Sequence, residues 1–327
     1  MTVPSFHAFS RKVTSDIITV SYGLFRVMIP TLIVVKIATE LGLDQLLIML
    51  FQPFMAVMGL PPEIAIILVT CLLTNPYAGL IVAASVPEVT QLTMGQASVM
   101  TLFMLFTHGL PVEVMVARKV GVRARISLAI RLGAGFLSGF ILGPIFTITG
   151  WLSEPAALNL PQIQLASDFA SWLVSQINAL ILIQMVIIVL LIFLEILRII
   201  GVERIIGLLL RPVLHLMGIG DRASTIGIVG VCLGLSFGGG LLMKDVKTGT
   251  IAKKDVFGIV CFINLIHSIF EDTAVVMLLG PSLFVIVGFR LLLSVVLTFC
   301  LMKLASRLSD DRWHRWLTNA NIPKSAG

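Results

Sequence analysis

Two short apolar segments decide how this chain is organised: LDQLLIMLFQPFMAVMG at residues 43–59 and VERIIGLLLRPVLHLMG at residues 202–218. At an offset of 159 residues they bring Asp44 onto Glu203, Pro53 onto Pro212 and Gly59 onto Gly218, with Gly42 and Gly201 just before them. The same offset, without a gap, aligns Gly79 with Gly238, His108 with His267, Glu113 with Asp272, Gly121 with Gly280 and Arg131 with Arg290. Apolar coincidences mean little in so apolar a sequence. Proline, histidine and arginine are scarce in it, so their recurrence carries the weight. The chain reads as two repeats, 17–150 and 172–305.

Of 327 residues, 57% are hydrophobic and 12% charged, and the mean hydropathy is +1.05. A soluble globular chain is about 45–50% apolar and about a quarter charged, so this is an integral membrane protein. The net charge of +6 sits in short loops and is not interleaved with aromatic residues, so nucleic-acid binding is not expected. Cys71, Cys232, Cys261 and Cys300 each stand alone in apolar runs. No CxxC spacing suggests zinc or redox chemistry, and no cofactor is expected. The polar N-terminus followed by a long apolar run is not the pattern of a cleavable signal peptide.

A helix needs about 20 residues to cross the hydrocarbon core. Runs of that kind cover 17–39, 63–85, 97–117, 126–150, 172–197, 223–243, 256–279 and 283–305. Loop charge orients them, because Lys and Arg concentrate in cytoplasmic loops. Loop 85–96 has no base, whereas its partner 244–255 has Lys244, Lys247, Lys253 and Lys254. Loop 118–125 has Arg118, Lys119, Arg123 and Arg125, whereas its partner 277–284 has none. Equivalent loops of opposite bias imply inverted repeats. The expected fold is an all-α polytopic membrane protein with two inverted repeats of about five helices each and helices broken near the midplane. In this reading 43–59 and 202–218 supply the fifth crossings, with a surface position as the rival. The map is then a cytoplasmic segment 1–16, repeat one 17–150, an external linker 151–171, repeat two 172–305 and a cytoplasmic interfacial tail 306–327. Both termini face the cytoplasm across the inner (plasma) membrane.

Inverted repeats are a plan of secondary transporters, with sites near the midplane where helices break. Matching breaks occur at TNPYAG (74–79) and SFGGG (236–240), because Pro76 donates no helical hydrogen bond and consecutive glycines weaken a helix. Thr74, Asn75, Ser236, Gly238, Gly239 and Gly240 are candidate contacts to a small polar solute. Close helix packing is the competing explanation for the glycines. The stretch HSIFEDT (267–273) puts His267, Glu271 and Asp272 between apolar runs, where ionisable groups are costly and by default functional. His267 and Glu271 share a helix face. Repeat one offers HGLPVE, with His108 and Glu113, and Pro111 marks a break there. These groups could bind a coupling proton or cation or a divalent metal, or form a structural pair. Arg131 and Arg290, and Lys36 and Glu195, also recur at the 159-residue offset. Snorkelling to the basic side is one reading for Arg131, and Arg290 and Glu195 could pair with a carboxylate or a substrate anion.

The Gly-rich stretch, the polar hairpin with Gly249 and Lys253-Lys254-Asp255, and the His267–Glu271–Asp272 segment resemble the nucleoside recognition, or gate, domain family. That family is similar in its membrane core to spore maturation proteins and to the membrane region of ferrous-iron transporter B. The likeness is best over about 200–282 and fainter over 41–123. It implies a membrane protein that moves a solute. No nucleotide-binding G-domain motif is present, which is a departure from the full iron transporter. The expected function is secondary transport of a small polar solute, a nucleoside or related metabolite among the options, coupled to a proton or another ion. A divalent metal transporter or a membrane scaffold is the alternative, and an enzyme is not expected, because no HExxH or GxSxG occurs. Partners are the solute and the lipid bilayer, with a homo-oligomer open.

Overall fold

A computed structural model describes residues 6–160, 168–233, 240–243, 245–246 and 251–319. The described residues form helices joined by turns and loops, with no strand among them and two isolated β-bridges, Thr93–Pro155 and Val122–Thr318. In chain order the helices are α1 (Phe6–Glu40), α2 (Leu43–Val57), α3 (Ala65–Leu73), α4 (Pro76–Ala83), α5 (Met94–Thr107), α6 (Leu110–Val120), α7 (Ala124–Thr149), α8 (Phe169–Ile200), α9 (Val202–Leu216), α10 (Asp221–Leu233), α11 (Lys253–Leu265), α12 (Ile269–Val276), α13 (Arg290–Ala305) and α14 (Asp310–Trp316). Short 3₁₀ or π turns cover Pro62–Ile64, Pro87–Gln91, Met277–Leu279 and Val285–Phe289.

The stretches Phe9–Glu40, Ala124–Thr149, Phe169–Ile200, Lys253–Leu279 and Val285–Ala305 are long and apolar enough to cross a membrane. Two bent pairs, α2 with 62–73 and α5 with α6, raise the number among the described residues to at most seven. The protein is therefore an all-α polytopic membrane protein. On α8 only Gln176, Ala179, Ile183, Ile187 and Leu190 are buried, whereas Val174, Ile181, Val189 and Ile200 are exposed. Apolar side chains all round a helix are what a lipid environment requires.

Among the described residues fewer than the ten expected crossings are found, for two physical reasons, and the expected span 223–243 lies partly outside those residues. First, α2 and α9 have 15 residues each, about 22 Å of helix, which is short of the roughly 30 Å hydrocarbon core. The axis turns by 115° between α2 and 62–73, at Gly59, whose φ is +69°. Second, 63–85 folds back on itself. A Cβ on Gly79 would lie 3.1 Å from Cys71 Cβ, although eight residues of straight helix would separate them by about 12 Å. The segments α3 and α4 therefore form a helical hairpin with Thr74 and Asn75 at its tip. Gly79→Leu is expected to destabilise the protein by about 1–3 kcal/mol through overpacking, because the side chain would meet both Cys71 and Met104. Thermal unfolding in detergent measures this, with Gly79→Ala as the milder comparison.

Local structure recurs at the 159-residue offset. The bounds of α2 map onto those of α9, and the starts of α5 and α6 map onto those of α11 and α12. Left-handed backbone recurs at Gly42 and Gly201 (φ 72° and 83°), Gly59 and Gly218 (69° and 80°), Gly121 and Gly280 (126° and 72°), and Gly109 and Ser268 (61° and 45°).

The chain forms two compact units, one of 1–108, 139–201 and 274–282, the other of 109–138, 202–273 and 283–327. In the first, α5 is almost wholly buried, starts with a Thr93–Gln96 capping box and is tied by Gln96 Nε2 to Gly59 O at 2.8 Å. The base-free loops of this unit meet one another. Met94 N donates to Glu154 O at 2.8 Å, Asn159 N to Leu278 O at 2.9 Å, and Ser282 N to Ser98 Oγ at 2.9 Å. Asp168 caps α8, accepting from Ser171 N and Ser171 Oγ at 2.9 and 2.7 Å. Those bonds hold its carboxyl below the ordinary range. The cap's contribution is thus present above the unfolded value and is lost as pH falls through the folded one. Asp168→Ala should lower the melting temperature near neutrality, with the difference closing on acidification.

In the second unit α11 is the enclosed helix, buried from Val256 to Leu265. Here the basic loop 118–125 meets the tail. Asn319 N donates to Gly121 O and Arg123 N to Leu317 O, both at 2.9 Å. Arg125 lies 5.6 Å from the ring centre of Trp316. Trp313 packs edge-on to Phe257, in the first turns of α11, at 5.5 Å.

Candidate functional site

The break between α11 and α12 in the second unit is surrounded by buried polar groups. The helix stops at Leu265, Ile266 leaves helical geometry (φ −138°, ψ 84°), and Ser268 adopts φ 45°. Such a backbone is uncommon for a residue with a Cβ, and the equivalent position in repeat one is Gly109. A helix C-terminus leaves carbonyls without intrahelical donors, and in hydrocarbon each costs several kcal/mol. Two arginines meet that need. Arg131 on α7 donates through Nη1 to Asn264 O at 2.8 Å. Arg290 at the start of α13 donates through Nε to Leu265 O at 3.0 Å and through Nη2 to His267 O at 3.2 Å. Both are fully buried, at 0% and 1% exposure, so Arg131 does not snorkel. Cations also suit the negative end of the helix dipole.

Carboxylates face these cations. Asp272 Oδ2 lies 3.8 Å from Arg290 Nη2. Glu271 shares the first turn of α12 with Asp272 and is half-buried. Glu113, in the first turn of α6, brings Oε1 to 3.9 Å from His267 Nε2. The 159-residue correspondence extends to the backbone, since Glu113 N bonds Gly109 O at 3.0 Å and Asp272 N bonds Ser268 O at 2.9 Å. His267 is held by Nδ1 donating to Ile263 O at 2.8 Å. In the first unit, His108 does the same toward Met104 O at 3.1 Å. Asn264 is fully buried, accepts from Ser127 Oγ at 2.9 Å and donates to Val260 O at 2.9 Å.

Of the residues picked out from the sequence, Glu113, His267, Glu271 and Asp272 come together in the second unit, and His108 belongs to the first. Thr74 and Asn75 form the hairpin tip. Their side chains have local roles there, with Thr74 Oγ1 donating to Thr70 O at 2.6 Å and Asn75 Oδ1 accepting from Ala78 N at 2.9 Å. The expected irregular stretch 74–79 is confined to Thr74 and Asn75, because α4 begins at Pro76, where proline is tolerated in a first turn. Ser236, Gly238 and Gly239 lie outside the described residues. Gly240 is helical and exposed. Lys36 and Glu195 are in ion pairs of the first unit, Lys36 with Glu40 at 3.2 Å and Glu195 with Lys12 and Arg198.

Sequence reasoning missed Asn264, whose signal was one amide inside the run VFGIVCFINLI. It also missed a cavity of about 280 Å³ in the first unit, lined in part by Lys36, Asp44, Glu63, Glu88, Trp172 and Gln176. Isolated acids flanking 65–83 were the only cue to it.

The site offers one imidazole and three carboxylates against two arginines. It is suited to holding a proton or a polar solute. The chain is 26% identical over 309 residues to an uncharacterized membrane protein of Bacillus subtilis (strain 168), YvoD, a match spanning 92% of this chain and 93% of that protein. No protein-family model matches the chain, and no solved structure does.

Proposed function

We propose that the protein is a secondary transporter of a small polar solute, coupled to protons. One observation carries the reading: an enclosed helix is broken among buried ionisable groups, its carbonyls held by two arginines and its other side faced by Glu113, Glu271 and Asp272. Ionisable groups at such depth are costly and mark pathways or proton relays in membrane proteins. The recurrence of helix bounds and left-handed residues at one offset supports two repeats, and the loop charges support their inversion. With α2 in the interface and 63–85 re-entrant, repeat one crosses three times. Three is odd, as an inversion requires. The base-free loops then face outside, and the basic loops and tail face the cytoplasm.

Nucleoside-like solutes are the first class to test, on the resemblance of 200–282. A divalent metal is the second reading, favoured by the 3.9 Å approach of His267 Nε2 and Glu113 Oε1, a separation two ligands of one ion can adopt. Arg131 and Arg290 oppose it by charge. Purified protein in vesicles tests the proposal, with a solute screen by thermal shift followed by uptake under an imposed proton gradient. Absence of gradient-driven uptake for every solute that shifts the melting temperature would refute it. For topology, single cysteines at Glu88 and at the exposed Leu283 should react with an impermeant thiol reagent on whole cells, and those at Lys119 and Lys247 should not. Equal labelling of Glu88 and Lys247 sites would exclude inversion.

A further inference from the structure

We propose that the cavity of the first unit is a binding site for a primary organic ammonium with an apolar body. The proposal goes beyond the transporter reading and does not depend on it.

The cavity, of about 280 Å³, lies where α1 ends and α8 begins, beside α2 and the base-free loop 85–96. Much of its wall is apolar, with Val35, Ile48, Ile66 and Ile81 contributing. An apolar wall with a few placed polar groups is the usual make-up of a small-molecule site. An apolar cavity of about 150 Å³ takes a benzene ring, so this one has room for a ring carrying an aminomethyl group.

The charge of the lining selects a cation. Asp44, Glu63 and Glu88 face one base, Lys36. Lys36 is already engaged by Glu40 at 3.2 Å and by Trp172, whose ring centre is 5.7 Å from Nζ. That ring is itself a surface that attracts organic cations. Asp44 and Glu63 stand in first helical turns, where the helix dipole would account for a carboxylate. Gln176 has no such account. It lies well past the start of α8, is 7% exposed and lines the same cavity. Its side chain makes no hydrogen bond among the described residues, although buried amides are ordinarily bonded. Asp44 Oδ1 is also buried without a hydrogen-bond partner among those residues. A primary ammonium has three hydrogens to donate. The Gln176 carbonyl and Asp44 Oδ1 accept two, and Glu63 or Glu88 accepts the third.

A bare divalent ion fits less well. Calcium takes about six to eight oxygen ligands, whereas the three carboxylates are not gathered within 4.8 Å of one another and the wall between them is apolar. A free amine and a lipid with an amino headgroup share the chemistry that does fit.

The test is calorimetric titration of the full-length protein in nanodiscs of phosphatidylcholine, with empty discs subtracted. Benzylammonium should bind and benzoate should not. Asp44→Asn and Gln176→Leu should each weaken benzylammonium about tenfold or more, the scale of a hydrogen bond to a charged group. Lys36→Met should tighten it, because a like charge is removed, and Glu271→Gln in the second unit should leave it unchanged. If Asp44→Asn folds poorly, Gln176→Leu decides, since Gln176 caps no helix. Discs containing phosphatidylethanolamine separate the two sources. Weaker benzylammonium binding there identifies the lipid headgroup as occupant, unchanged binding identifies a free amine, and either supports the site. The proposal is overturned if benzylammonium does not bind in phosphatidylcholine discs, if benzoate binds as well, if Lys36→Met weakens binding, or if Gln176→Leu leaves it unchanged. No uptake is measured, so failure of the transporter reading leaves this site standing, and the reverse.

Discussion

Arg290→Met should cost about 3–5 kcal/mol of stability, the range for removing one partner of a buried ion pair. Three interactions fail together: the bonds to Leu265 O and His267 O and the pairing with Asp272. The carbonyls are enclosed, so water does not replace the guanidinium, and Asp272 is left as a buried carboxylate beside Glu271. Arg290→Lys should fall between, because a point-like ammonium cannot serve two carbonyls and a carboxylate as a planar fork does. The double variant Arg290→Met with Asp272→Asn should recover part of the loss, since the stranded charge is gone. Denaturant unfolding in a fixed detergent measures all three. Wild-type stability in Arg290→Met would show that the arginine is not what holds the broken end of α11.

Glu271→Gln should reduce solute uptake about tenfold or more, equivalent to at least ~1.4 kcal/mol, with a melting temperature close to wild type. Glu271 is half-buried in the first turn of α12, where a carboxylate suits the helix N-terminus. Its loss should lower uptake at acidic and alkaline pH alike. Asp272→Asn should differ by losing stability, because Arg290 then lacks its counter-charge. If Glu271→Gln transports at the wild-type rate at both pH values, the acidic face of α12 is not in the solute path.

How much of this was legible in the sequence differs by feature. The membrane class followed from composition, and Pro111 marked the break between α5 and α6. The break before α12 was not legible, since the spacing puts His267 and Glu271 on one helix face, whereas α11 stops at Leu265 and α12 starts only at Ile269. Loop charge grouped the loops as they meet within each unit, 85–96 with the linker and 277–284, and 118–125 with the tail. The number of crossings was not legible. An apolar run of 19 or more residues reads as a span whether it continues or doubles back, and only the closeness of Gly79 to Cys71 distinguishes the two. Arg131 and Arg290 were visible as a recurring pair, but their role was hidden because their partners are backbone carbonyls. Carbonyls carry no sequence signal until a helix is known to end beside them.

The docking of the tail on loop 118–125 has a consequence for biogenesis. Gly121 and Arg123 are bonded to Asn319 and Leu317, nearly 200 residues further along the chain. At about 5–20 residues per second, that loop leaves the ribosome roughly 10–40 seconds before its partner does. A chain stopped just short of Leu317 has already made every apolar span, so insertion into the bilayer should proceed normally. Quality control acting on such a product would have to sense an unlatched loop at the membrane surface, and its degradation would report on the contacts of Leu317 and Asn319 rather than on any defect within the bilayer.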